Sequence, residues 1–201
     1  MNNEQLDITI RHFFDNEESK NNPELNRLLK ECSEIAEKFM IGVDNEFKLW
    51  GSPRTSFFIA TENETNKVAG AMIVQRRQEE SSMHIIGTVV KYGLQRHGIS
   101  EHLTKYLIKH SKDWEKITTN IINPNESYHN SRRRMGFESD RHKDNKGGLY
   151  MTKILNESES TITLADAQPQ IVTIYPKKKS IQDTSLTSKA SKSLTAGGSE
   201  I

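Results

Sequence analysis

Val90-Lys91-Tyr92-Gly93-Leu94-Gln95-Arg96-His97-Gly98-Ile99-Ser100 joins an apolar stretch, Met83 to Val90 (MHIIGTVV), to a helix-patterned one, Gly98 to Ser111. A helix amino terminus leaves its first amide hydrogens without intrahelical acceptors, and the macrodipole adds partial positive charge there. Gly98 removes the side chain that would keep a ligand from the backbone, Ser100 is small and carries a hydroxyl, and Arg96 adds charge. In outline the turn is an anion site of the kind that phosphates occupy. A turn that simply needs one permissive residue reads the same way at this level.

Working outward, the segments on both sides alternate between strand and helix patterns. Ile8 to Phe13 alternates as a short strand, and Asn22-Pro23-Glu24 opens a helix with Asn22 as cap and Pro23 in the first position. Leu25, Leu28, Leu29, Cys32, Ile35, Ala36 and Phe39 recur at three and four, forming one apolar stripe. Trp50-Gly51-Ser52-Pro53 punctuates the end of that region. Thr55 to Thr61 and Lys67 to Gln75 read as a hairpin, with turn residues Asn63-Glu64-Thr65-Asn66 between them. Beyond the Gly98 helix come a strand at Lys116 to Ile122, a short helix at Asn125 to Met135, a strand starting at Gly136-Phe137-Glu138, and a last strand at Leu149 to Leu155. The order predicts an α/β (α+β) domain over residues 1–155, a mixed sheet with helices on its faces. From Asn156 the chain turns Ser/Thr-rich, with only Ile171 to Tyr175 suggesting order, which predicts a largely disordered tail over 156–201.

Composition narrows the function classes. The chain has 201 residues and a formal net charge of +1, which gives no general reason to expect a nucleic-acid or membrane partner. Cys32 is the one cysteine, so no intramolecular disulfide or Cys-based metal site is possible within the chain. The seven histidines include no HExxH pair, leaving a zinc site without support. The polar start, Met1 to Gln5, lacks the features of a secretory signal, and no apolar run nears the roughly 20 residues that span a bilayer. A cytoplasmic protein is the expectation. Arg132-Arg133-Arg134 fans across about 200° of a helix and so does not make one basic face. Cys32 falls on the apolar stripe as a small core residue, and Lys177 to Lys179 reads as a solubilising run.

The spacing of the opening turn resembles that of a known family. Gln95-x-x-Gly98-x-Ser100 is similar to the Gln/Arg-x-x-Gly-x-Gly/Ala signature of the Gcn5-related N-acetyltransferase (GNAT) superfamily, with Val90 at its apolar strand-end position. Asn125, eleven residues before Gly136-Phe137, resembles the family's Asn…Gly-Phe segment after its fifth strand. The element order from Ile8 to Leu155 follows the same pattern, a twisted and mostly antiparallel mixed sheet flanked by helices. Ser100 departs mildly from the usual Gly or Ala.

The resemblance implies acetyl-CoA as co-substrate and transfer of its acetyl group to a primary amine, on a small molecule or a protein, by direct attack. Gln95, Arg96, His97, Gly98, Ile99 and Ser100 would cradle the pyrophosphate, Val90 would pair with the pantetheine arm like an added strand, and Asn125 would belong to the same cofactor site. Arg132 stands where the family often places a Tyr that protonates the departing thiolate. An Arg stays charged, so its expected part is electrostatic, toward the thiolate or a phosphate of the cofactor. Tyr128, one helical turn earlier, is the candidate acid, with helix packing as the alternative. His84 occupies the position of the glutamate base of histone-acetylating members, and an imidazole has a suitable ordinary pKa. A half-buried hydrogen-bonding role is its alternative, and Glu79 and Glu80 are rival bases. A bulge marked by Gly87 would change which face His84 takes. A monomer or homodimer is expected. The alternative functions are a cofactor-binding regulatory module without turnover, for which Arg132 speaks, and a secreted effector that acetylates host lysines, for which the tail composition speaks.

Overall fold

In chain order the elements are β1 (Leu6–Phe14), α1 (Pro23–Phe39), β2 (Thr55–Glu62), β3 (Val68–Arg77), a 3-10 turn (Gln78–Glu80), β4 (Ser82–Val90), α2 (Ile99–Lys109), β5 (Lys116–Ile121), α3 (Glu126–Arg134), β6 (Glu138–Lys143), β7 (Leu149–Ile154) and β8 (Gln170–Ile174). They come from a computed structural model that describes residues 5–14, 21–39, 54–121, 126–143 and 148–175. The loop expected at Trp50 to Pro53, the cofactor residue Asn125 and the solubilising run at Lys177 to Lys179 lie outside the described residues.

The strands form one sheet in the order β6-β7-β5-β4-β3-β2-β1-β8, antiparallel at every pairing except the parallel β4–β5 contact. Central strand β2 is buried at seven consecutive residues, as an apolar run covered on both faces requires. One face carries a core of Phe58, Met72, Val74, Met83, Ile85, Leu103, Tyr106, Leu107 and Phe137 beneath α2 and α3. The other face packs Phe57, Ile59, Ala71, Ile73 and Val89 against the α1 stripe of Leu25, Leu28, Leu29, Cys32 and Ala36. Helix α1 begins as its sequence dictates, with the Asn22 Oδ1 accepting the Leu25 amide at 3.1 Å ahead of Pro23.

A bulge does occur in β4. Ile73 pairs with Gly87 and Val74 with Ile85, so Ile86 is the extra residue, adjacent to the glycine. Its effect is visible in the packing. Ile85 joins the core under α2, whereas Val89, four residues on and of the same parity, joins the core under α1. His84, before the bulge and alternating with Met83 and Ile85, therefore sits on the α1 face of the sheet.

The folded unit does not stop at Leu155. Residues 156–175 form a belt that crosses the carboxyl end of α2 and finishes as β8, antiparallel to β1 from Leu6↔Ile174 to Ile10↔Gln170. The Ser160 hydroxyl donates to the Ile108 carbonyl at 2.6 Å, and the Thr161 and Ile162 amides donate to the Lys109 carbonyl at 3.1 and 3.2 Å. These bonds satisfy the carbonyls that a helix end leaves free. Leu164 is buried, and the Tyr106 hydroxyl donates to the Gln168 carbonyl at 2.9 Å. The expectation of a disordered tail from residue 156 is thus corrected over 156–175. The belt earns its order by capping and by a few well-placed apolar contacts, which composition does not reveal. Residues 176–201 lie outside the described residues.

Candidate active site

The turn after β4 is built from left-handed residues. Gly93, Arg96 and Gly98 have φ of 87°, 67° and 86°, so the chain folds back twice before Ile99 starts the helix. Gly98 is the helix cap and makes no side-chain cap bond, so the cap side chain takes none of the first-turn amides of α2, the groups to which anions bind at helix starts. Gln95 and Arg96 are exposed on this turn, and the His97 ring bonds back to the Gln95 carbonyl at 3.0 Å. The helix start lies close to the sheet because Gly70 on β3 has no side chain. A Cβ there would come within 2.9 Å of the Ile99 Cγ2 and 3.0 Å of the Val89 carbonyl oxygen.

Beside this turn the sheet opens. The parallel register between β4 and β5 ends at Ile85↔Thr119, although β4 continues to Val90 and β5 to Ile121. Beyond the bulge residue Ile86, the β4 stretch from Gly87 to Val90 keeps its β3 partners, and among the described residues none of Ile86 to Val90 pairs with β5. An open strand edge that runs directly into a helix-start anion site can take an extended chain ending in phosphates. Val90, Gln95, Arg96, His97, Gly98, Ile99 and Ser100 thus follow one another from the open end of β4 to the first turn of α2. Asn125 is outside the described residues.

On the α2 face, α3 brings Tyr128 and Arg132 against α2 and the core beneath it. Arg132 is 1% exposed, while Arg133 and Arg134 point to solvent, so the three arginines do fan apart. The Arg132 guanidinium donates to the Thr104 hydroxyl and to the Tyr128 hydroxyl, and it lies 4.7 Å from the Tyr128 ring centroid and 5.5 Å from that of Phe137. Among the described residues its buried Nε has no hydrogen-bond partner and no carboxylate pairs with it. Because the Tyr128 oxygen accepts from Arg132, its own phenol hydrogen is left to be given elsewhere. Sequence reasoning named Arg132 and Tyr128 but not Thr104, whose only signal is a small hydroxyl on the buried side of α2.

On the α1 face, His84 stands at the mouth of the β4–β5 opening. Its Nδ1 is 2.9 Å from the Thr118 hydroxyl, and its ring is nearly parallel to that of Tyr150, 6.2 Å away. Burial, with the Arg77 charge nearby, holds the imidazole down at about 4 against a weaker opposing pull from Glu80. It is neutral at physiological pH. Glu79 and Glu80 lie in the 3-10 turn after β3, with Glu80 3.8 Å from Arg77. Thr118 and Tyr150 were not legible as site residues, since only the β4–β5–β7 register brings them to His84. Cys32 is buried on the sheet-facing stripe of α1, and burial pushes its thiol well above the ordinary range, as suits a core residue.

A helix-start anion turn beside a splayed pair of parallel strands, within a mostly antiparallel sheet, defines the class of acyl-transfer folds. The chain belongs to the acetyltransferase (GNAT) family, whose model matches residues 22–137. Solved structures agree on the fold. The ribosomal-protein-S18-alanine N-acetyltransferase of Escherichia coli aligns with a TM-score of 0.58 at 16% identity, covering 74% of this chain and 94% of that one. Gcn5 from Tetrahymena aligns at 0.56 and 16%, covering 75% and 96%. Ard1 from Thermoplasma volcanium aligns at 0.55 and 14%, covering 75% and 99%. No curated protein matches the sequence.

Proposed function

We propose that the chain transfers the acetyl group of acetyl-CoA to a primary amine, on a small molecule or a protein, by direct attack of the amine. The observation that carries this reading is the union of two features: the α2 amide cradle at Arg96 to Ser100, and the β4 edge from Ile86 to Val90 that has lost its β5 partner. The bound thioester supplies the activated acetyl group. Gln95 and the amides of Arg96 to Ser100 hold the pyrophosphate, with Asn125 contributing to the same site. The β4 edge near Val90 hydrogen-bonds the pantetheine arm, and one of its amides faces the developing oxyanion. Arg132 stabilises the departing thiolate by its charge, Tyr128 gives that sulfur its phenol hydrogen, and the phenolate takes back, through solvent, the proton that the amine nitrogen loses as the amide forms. His84 borders the entrance for the amine.

The competing reading is a cofactor-binding module without turnover, which the buried Arg132 in the usual Tyr position favours. Differential scanning fluorimetry with acetyl-CoA, followed by thiol release against polyamines, aminoglycosides, amino acids and lysine peptides, separates the two. Stabilisation together with thiol release supports the transferase. Stabilisation without release across the panel supports the binding module, and no stabilisation by any acyl-CoA refutes the cofactor assignment.

A further inference from the structure

The Thr118 side chain is 1% exposed and lies across the parallel register from His84, its hydroxyl 2.9 Å from the imidazole Nδ1. A hydroxyl shut away from water must place its hydrogen on an acceptor, because a buried donor left unmade loses its solvation for nothing. The acceptor the structure gives Thr118 is the His84 Nδ1. Were Nδ1 to carry the ring hydrogen and donate instead, the Thr118 hydrogen would be left buried with no other acceptor among the described residues. Nδ1 therefore accepts, and a neutral imidazole whose Nδ1 accepts carries its hydrogen on Nε2.

We infer that Thr118 locks His84 in the Nε2–H tautomer, so that His84 meets the amine substrate as a hydrogen-bond donor to one of its oxygens and not as the base that takes its proton. The inference rests on reading the β4–β5 opening as the acceptor site. The surroundings fit a fixed, neutral donor. Tyr150 holds the ring plane at an interplanar angle of 14°, and burial with Arg77 keeps the imidazole uncharged despite Glu80. The one lone pair a neutral imidazole offers is already engaged with Thr118. His84 is thus a specificity-determining residue, selecting amines that carry a carbonyl, carboxylate or hydroxyl oxygen near the nitrogen. Expectation of a base at this position came from residue type and spacing, neither of which shows the tautomer.

The test is long-range nitrogen–proton correlation NMR of the full, selectively labelled chain at pH 7. The expected result is a pyridine-type His84 Nδ1 and a pyrrole-type Nε2, with Thr118→Val moving the ring toward a mixture of tautomers. A pyridine-type Nε2 in the wild type overturns the inference. Kinetics give a second arm, because a glutamine can donate an N–H but cannot accept an amine proton. His84→Gln is expected to stay within about tenfold of wild type, while His84→Ala raises the acceptor KM more than it lowers kcat. A base would show both variants losing about 100-fold or more in kcat, which also overturns the inference. A chain that turns over no amine refutes the proposed transfer instead, and the NMR result then still decides the tautomer.

Discussion

The Arg132 guanidinium donates to the Thr104 hydroxyl, so a fully buried cation on α3 is moored to α2 by a neutral oxygen, while the Tyr128 hydroxyl on its own helix takes a second bond and no carboxylate among the described residues pairs with it. Burying a charge without a counterion is costly. The faces of Tyr128 and Phe137 recover part of that cost through cation–π contact. A buried cation that no described carboxylate neutralises suits the part proposed for it above, holding the charge of a leaving thiolate.

Arg132→Met tests that division between stability and function. A methionine fills most of the volume and removes the cost of holding a charge away from water without a counterion. We expect a melting temperature equal to or above wild type together with a loss of acetyl transfer. Unfolding by urea and a thiol-release assay measure the two. A marked loss of stability would instead make Arg132 a structural residue.

Truncation after Leu155 removes the belt, and with it the Ser160, Thr161 and Ile162 caps on α2, the buried Leu164 and the β8–β1 ladder. The folded state is expected to lose more than about 3 kcal/mol, since one buried leucine alone is worth about 2–3 kcal/mol. Leu164→Ala is the milder probe, with an expected loss of about 2–3 kcal/mol. Chemical denaturation of both variants checks the belt. An unchanged midpoint would return it to the status of an appendage.

Gly70→Ala probes the seat of the cofactor turn from behind. The new Cβ would be 2.9 Å from the Ile99 Cγ2 and 3.0 Å from the Val89 carbonyl, and only the first of these can give way. The start of α2 must then lift from the sheet, at a cost of about 1–3 kcal/mol. We expect a lower melting temperature and a smaller stabilising shift with acetyl-CoA. Gly98→Ala has no comparable clash, its nearest neighbour being the His102 ring at 3.9 Å, but its φ of 86° imposes about 1 kcal/mol of strain. Its binding loss is expected to be the smaller of the two.

What could be read from the chain followed from local rules. The cap at Asn22, the stripe of α1 and the strand-turn-helix at Val90 to Ser100 are periodicity and turn chemistry, and all fall where the sequence puts them. The bulge was legible through Gly87, although its extra residue is Ile86. Not legible were contacts set by register between distant segments. Thr118 meets His84 only because β4 and β5 pair in parallel from Ser82↔Lys116. Likewise, Arg132 is buried because α3 lies on α2, and nothing in an Arg-Arg-Arg run says which of the three turns inward. The belt escaped for the same reason, because its partners lie on β1 and α2 rather than within its own sequence.

Acid should unfold the protein earlier than its carboxylates require. Burial, reinforced by Arg76, lowers His12 to about 3 despite its bond to the Leu164 backbone, and His84 is held at about 4. His110 is lowered as well, mainly by burial. An unfolded histidine titrates near 6.5, so below that pH the unfolded chain binds protons that the folded chain refuses. Stability is therefore complete above pH 6.5 and falls as the pH drops toward 4, by up to about 1.4 kcal/mol per pH unit for each such group. His12 stacks on Phe58 at 4.6 Å and meets the Phe14 edge at 4.1 Å, so His12→Phe keeps an aromatic ring there without the titration. Urea midpoints measured between pH 6.5 and 5 should show a shallower decline in His12→Phe than in the wild type. An identical slope would mean that His12 takes up its proton in the folded state.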